Sequence, residues 1–156
     1  MKKVLFVCTQ NSARSQMSAA FLNKLAGGNF IAESAGLKAG SLNPLVVEAM
    51  AEVGYDISKN TTNSVFDYFK EGRRYNVIVK VCDQESGQRC PVFPLTQKVL
   101  DWNLEDPAEF VGTEEEKEVM IRQLRDEIET RVKNFIEEYE DAEFKNVDRN
   151  LDWIKD

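Results

Sequence analysis

Residues 2–8, KKVLFVC, run without a break from two lysines into β-branched, aromatic and other apolar side chains. A strand that is apolar on both faces must be covered on both, so it reads as a central strand of a mainly parallel sheet. Val4, Phe6 and Cys8 share one of its faces. A polar loop, Thr9 to Ser12, follows, and then a helix from about Ser15 to Ala26, with Met17, Phe21 and Leu25 stepping by four and Gly27-Gly28 ending it. The alternation continues. Phe30 to Ser34 is a second strand closed by Gly36, and Pro44 to Val53 a helix with Pro in its first turn and Gly54 past its end. Residues 56–63 are rich in turn formers, a short helix runs from about Ser64 to Lys70, and Tyr75 to Val81 is a third strand. A long loop over 83–97 leads to a fourth strand over Lys98 to Trp102. Thr113 with Glu116 makes a capping box that opens a long helix, whose core stripe is Ile121, Leu124, Ile128, Phe135 and Tyr139. The expected architecture is α/β, a central mainly parallel sheet of about four strands flanked by helices.

Composition narrows the chemistry. The 156 residues fit one compact domain, and no apolar run approaches the roughly 20 residues of a membrane span. The apolar stretch after Met1-Lys2-Lys3 is too short for a signal peptide, so the chain reads as cytoplasmic. A net charge of −7 argues against a nucleic-acid partner, although backbone N–H groups and one Arg can still gather an anion locally. The chain has no His, which removes Ser-His and Cys-His pairs and most zinc sites. Any nucleophile must therefore be activated by its electrostatic surroundings. Three cysteines, Cys8, Cys82 and Cys90, are too few and oddly counted for a secreted disulfide framework.

Between the first strand and the first helix stands Cys8-Thr9-Gln10-Asn11-Ser12-Ala13-Arg14-Ser15, a Cys-x5-Arg loop. A loop of that length can curl until successive N–H groups point inward, a nest for a tetrahedral oxyanion with a helix N-terminus behind it. Arg14 can grip two oxygens with its fork, and the same field favours the thiolate of Cys8, to which Ser15 can donate. The competing reading is a buried core Cys at a strand end with a solvated Arg. Asp106-Pro107, on a loop before the long helix, offers a carboxyl to protonate a departing oxygen; Glu105 is the weaker candidate, and Asp-Pro is also a common helix start.

VLFVCTQNSARSQMSAAF resembles the phosphate-binding loop of the low-molecular-weight tyrosine phosphatase superfamily. ESAG at 33–36, LNP at 42–44 and EVGYDIS at 52–58 extend the likeness to its thioredoxin-coupled arsenate reductases, over about residues 2–139. That resemblance implies Cys8 as nucleophile, residues Thr9 to Ser15 as oxyanion cradle with Arg14 as its clamp, and Asp106 as acid. It also implies no organic cofactor, an arsenate or phosphate-like substrate, and thioredoxin as reductant. Reducing As(V) takes two electrons, which thiols supply by ending as a disulfide. Cys82 closes the third strand, and Cys90 follows in a Gly- and Pro-containing loop, so both are placed for a relay; CDQESGQRCP resembles the family's redox segment. The alternative keeps Cys82 as a core residue and Cys90 as a bystander.

Several positions depart from the family pattern. Gln10 replaces a Gly, Ala13 replaces a further Cys, and the redox pair is spaced by seven residues rather than six. Relatives that bind potassium beside the loop use Asn, Glu, Ser and Asp. The matching positions are Asn11, Ala19, Ser34 and Asn63, so both carboxylates are gone and no metal is expected. Three functions follow as expectations: an arsenate reductase, a tyrosine or small-molecule phosphatase using Cys8, Arg14 and Asp106, and a non-catalytic oxyanion or redox sensor. Residues 1–140 form the expected domain. Residues 141–156 form a C-terminal extension, either an amphipathic helix or a frayed acidic end, and the oligomeric state stays open.

Overall fold

A computed structural model describes residues 2–81 and 93–140. Cys82, Cys90, most of the expected loop over 83–97 and the extension 141–156 lie outside the described residues. The elements are β1 (Lys2–Cys8), α1 (Arg14–Leu25), β2 (Phe30–Gly36), α2 (Pro44–Glu52), α3 (Val65–Lys70), β3 (Val77–Lys80), β4 (Lys98–Asp101), a 3-10 turn (Pro107–Glu109) and α4 (Glu114–Tyr139). The four strands form one sheet in the order β2-β1-β3-β4, parallel throughout.

Burial follows the two-faced logic of β1. Val4, Phe6 and Cys8 enter a core shared with α1, α2 and α4, while Leu5 and Val7 enter a second one with Val65, Tyr68, Tyr75, Ile78 and Phe93. Each fully covered side chain of this size stabilises the fold by about 1.5–3 kcal/mol relative to exposure. At the other extreme, β4 exposes Lys98 and Val99; a short strand carrying a lysine is a common way to blunt an open edge.

The helix ends form as their sequences dictate. Asn43 caps α2 by accepting from the Leu45 N–H, with Pro44 in the first turn. Thr113 and Glu116 close the capping box of α4, whose buried stripe includes Val132 beside the expected residues. At its far end Lys2 Nζ donates to the carbonyls of Tyr139 and Glu140 at 2.9 Å, placing a cation where the helix dipole is negative.

One expectation holds in part. Met17 and Phe21 are buried as expected, but Leu25 is exposed, and α1 also buries Ser15, Ser18 and Leu22. The apolar steps of four marked the first two positions of the buried face and not the third.

β1 lies between β2 and β3, and the chain leaves it first to one side and then, after β2, crosses to the other. In parallel sheets that reversal opens a crevice at the carboxyl ends of the strands. Cys8, the last residue of β1, stands there.

Candidate oxyanion site

The loop after β1 is clasped from outside by the chain that follows β2. Leu37, Lys38, Gly40 and Asn43 donate their N–H groups to the carbonyls of Cys8, Thr9, Gln10 and Ser12, at 2.9–3.0 Å. The Asn11 carbonyl accepts from the Gln16 side chain at 3.2 Å. Every carbonyl from Cys8 to Ser12 is thus engaged by an outer partner, which turns the amide edge of the loop inward, as an anion nest requires. Ala13 supplies no side-chain cap to α1, leaving the first helical N–H groups to the same concavity.

The clasp needs glycine. A Cβ on Gly36 would lie 2.5 Å from the Lys38 carbonyl oxygen, 2.6 Å from Asn11 N and 2.7 Å from Gln10 C, all backbone atoms that cannot swing away. Gly36→Ala is expected to cost about 2–3 kcal/mol, the upper range of overpacking, and to weaken phosphate binding as the loop shifts. Thermal melts with and without phosphate measure both. Gly40 similarly makes room for Gln10, whose Oε1 would stand 2.8 Å from an added Cβ.

Cys8 is 2% exposed. Its Sγ accepts from the Asn11 N–H at 3.1 Å and lies 2.8 Å from Ser15 Oγ. The direction of the second bond follows from the charge on the sulfur. Asn11 Nδ2 donates to Ser15 Oγ at 2.7 Å, and a thiolate has no proton to give, so with Cys8 ionised the hydroxyl is the donor to the sulfur. Two donors aimed at one sulfur is the arrangement a nucleophilic thiolate needs, and it is supplied without a His. Asn11 itself has φ 58, a left-handed conformation that Asn tolerates better than most residues.

Arg14 is 3% exposed and is pinned from across the site. Its Nη1 donates to the Leu104 carbonyl at 3.0 Å, and its Nη2 lies 3.5 Å from Asp106 Oδ2. Asp106 also caps the 3-10 turn, accepting from the Ala108 N–H at 3.0 Å. Glu105 lines the same cavity of about 480 Å³ as Asp106, and among the described ion pairs it is Asp106 that meets Arg14. The structure therefore joins Cys8, the loop through Ser15, Arg14 and Asp106 in one site.

Arg14→Lys keeps the charge but cannot hold Leu104 and Asp106 while gripping two oxygens. Anion binding is expected to weaken by about 1.5–3 kcal/mol, more than tenfold in inhibition by phosphate or sulfate. Unchanged inhibition would mean that Arg14 does not face the anion.

Of the four positions that match the family's potassium ligands, Ala19, Ser34 and Asn63 line a separate polar cavity of about 240 Å³. Asn11 meets that region through Oδ1, which accepts from the Asn63 N–H at 2.9 Å. The sequence reading missed Gln16, which lines this cavity and whose amide ties Asn11 to the Thr61 carbonyl. A polar residue in the first turn of a helix gives no sign that it faces inward. It missed the 37–43 clasp as well, because backbone donors leave no mark on side-chain identity.

A parallel α/β sheet that presents a thiol on the floor of an outward-clasped oxyanion loop, with Arg and Asp at its rim, defines a cysteine phosphatase-like class. The chain belongs to the low molecular weight phosphotyrosine protein phosphatase family, whose model matches residues 3–150. Within that family it is 37% identical to an arsenate reductase of Halalkalibacterium halodurans over 87% of this chain and 96% of that protein. Among solved structures it matches an arsenate reductase in the phosphate-binding state, with TM-score 0.73 and 32% identity, over 88% of this chain and 98% of the other. It also matches a thioredoxin-dependent arsenate reductase of Corynebacterium glutamicum, with TM-score 0.69 and 27% identity, over 90% of this chain and 62% of the other.

Proposed function

We propose that this chain reduces arsenate to arsenite, with a phosphatase-like first step and a cysteine relay. The observation that carries the reading is the Cys8 sulfur, which accepts from the Asn11 N–H and lies 2.8 Å from Ser15 Oγ at the floor of an inward-facing amide loop. Cys8 attacks arsenate held by the loop amides and Arg14, while Asp106 protonates the departing oxygen, which leaves as water. Cys82 then attacks the Cys8 sulfur. The S–As bond breaks, its electron pair stays on arsenic as As(V) becomes As(III), and a Cys8–Cys82 disulfide remains. Cys90 attacks Cys82 and frees Cys8, and the dithiol of thioredoxin reduces the resulting Cys82–Cys90 disulfide. A relay that ends in thioredoxin belongs in a reducing compartment, so the chain acts in the cytoplasm.

The named relatives support the substrate, and the thioredoxin-dependent C. glutamicum protein supports the reductant. A second reading rests on the family match: hydrolysis of a phosphoester needs only Cys8, Arg14 and Asp106. The test is NADPH oxidation by the full chain with arsenate, thioredoxin and thioredoxin reductase. Arsenate-dependent turnover supports the reductase. Hydrolysis of aryl phosphate without it selects the phosphatase, and neither activity leaves a sensor. Among the described residues no helix is long and apolar enough to cross a membrane.

A further inference from the structure

Gln16 is a polar side chain with only 3% exposure, one residue past the hydroxyl that faces the nucleophile. Its two amide protons meet three acceptors through Nε2: Asn11 O at 3.2 Å, Asn11 Oδ1 at 3.1 Å and Thr61 O at 3.0 Å. The amide can point only one way. Its Oε1 accepts from Asn60 Nδ2 at 3.1 Å, and a flipped amide would set oxygen against three oxygens.

The consequence passes to Asn11. Its Oδ1 accepts from both Gln16 Nε2 and the Asn63 N–H, which occupies both lone pairs and leaves Nδ2 to face Ser15 Oγ at 2.7 Å. Ser15 accepts that bond and, with Cys8 as the thiolate nucleophile, donates its own proton to Sγ, 2.8 Å away. A continuous chain of oriented donors thus runs from Asn60 through Gln16, Asn11 and Ser15 to the sulfur, and each bond fixes the direction of the next.

We propose that Gln16 is a positioning residue for the Cys8 nucleophile, acting through Asn11 and Ser15 without touching the substrate. The inference rests on the reading of Cys8 as the nucleophile. Without the Gln16 donor, Asn11 Oδ1 loses one of its two partners, and the side-chain amide can turn away from Ser15. The hydroxyl proton is then free to leave the sulfur. The four backbone bonds from Leu37, Lys38, Gly40 and Asn43 do not involve Gln16, so the carbonyls of Cys8, Thr9, Gln10 and Ser12 stay clasped and the anion nest loses only the Gln16 bond at Asn11 O.

The test uses the full chain and the rate at which iodoacetamide alkylates Cys8 at pH 7, followed by mass spectrometry of the Cys8 peptide. Protection by inorganic phosphate reports the nest separately. Gln16→Met keeps length and burial but removes the donors. It is expected to slow alkylation by about tenfold, the scale of one net hydrogen bond, while the phosphate protection midpoint moves less than about threefold. The decisive arm is the same substitution in a Ser15→Ala background. There it should change alkylation by less than about twofold, because the link it acts through is gone. A purely structural Gln16 would slow both backgrounds equally, and that result, or an unchanged rate in Gln16→Met, overturns the proposal. Should Gln16→Met not fold, Asn60→Ala at the exposed end of the chain carries the same comparison with a smaller effect, about threefold and again absent beside Ser15→Ala. Failure of the functional reading shows elsewhere, as activity retained by Cys8→Ser or no arsenate turnover by the parent, and neither changes the alkylation comparison.

Discussion

Cys8→Ser is expected to lose arsenate reduction and aryl phosphate hydrolysis together, by at least roughly 10⁴-fold, the scale on which removal of a catalytic nucleophile acts. The Asn11 N–H and Ser15 Oγ face the sulfur as partners for a nucleophilic thiolate, whereas a serine hydroxyl is far too weak an acid to supply such an anion. Neither chemistry can start without that anion. Phosphate binding should survive the change, since the loop carbonyls stay clasped by Leu37, Lys38, Gly40 and Asn43 and the amide edge still faces inward. Isothermal titration with phosphate beside both activity assays separates loss of the nucleophile from loss of the nest. Turnover within tenfold of the parent would remove Cys8 from the mechanism.

How much of this was legible in the sequence depended on whether a feature is written in side chains. The doubly apolar run of β1, the Asn43-Pro44 start of α2 and the Thr113–Glu116 capping box state their own structure, and each formed as expected. The face of α1 was legible only in part: Met17 and Phe21 are buried as their spacing predicts, whereas Ser15 and Ser18, also buried, are polar residues that a search for apolar periodicity passes over. At the site, residue type and spacing indicated Cys8, Arg14 and Ser15 because oxyanion chemistry needs a thiol, a fork and a hydroxyl in that order. What holds them was hidden. Arg14 is pinned by the carbonyl of Leu104, ninety positions away, and any residue there would present the same oxygen. The clasp at 37–43 is likewise backbone on backbone, visible in sequence only as the glycines that permit its closeness.

Cys82→Ser and Cys90→Ser are each expected to stop multiple-turnover arsenate reduction while leaving Cys8-dependent hydrolysis of aryl phosphate largely intact. The asymmetry comes from the redox balance. Hydrolysis returns the thiolate of Cys8 to its starting state, whereas reduction takes two electrons from thiols and needs a second sulfur to complete a disulfide. The described chain approaches the site from the right side: the Val81 N–H donates to the Val7 carbonyl at 2.8 Å, one residue short of Cys8 on β1, and Val81 is bonded directly to Cys82. The two variants should trap different species. Cys90→Ser still allows Cys82 to attack Cys8, so arsenate should leave a Cys8–Cys82 disulfide that thioredoxin turns over poorly. Cys82→Ser removes the attacking sulfur and should leave no such bond. Disulfide mapping by mass spectrometry after arsenate treatment reads the difference directly, with aryl phosphate hydrolysis as the control for an intact Cys8 loop. If both variants reduce arsenate with thioredoxin as fast as the parent, the relay is wrong and the electrons reach Cys8 by another thiol. If the parent hydrolyses aryl phosphate but leaves arsenate untouched, Cys82 and Cys90 have no part in turnover, and the site works as a phosphatase with Cys8, Arg14 and Asp106 alone.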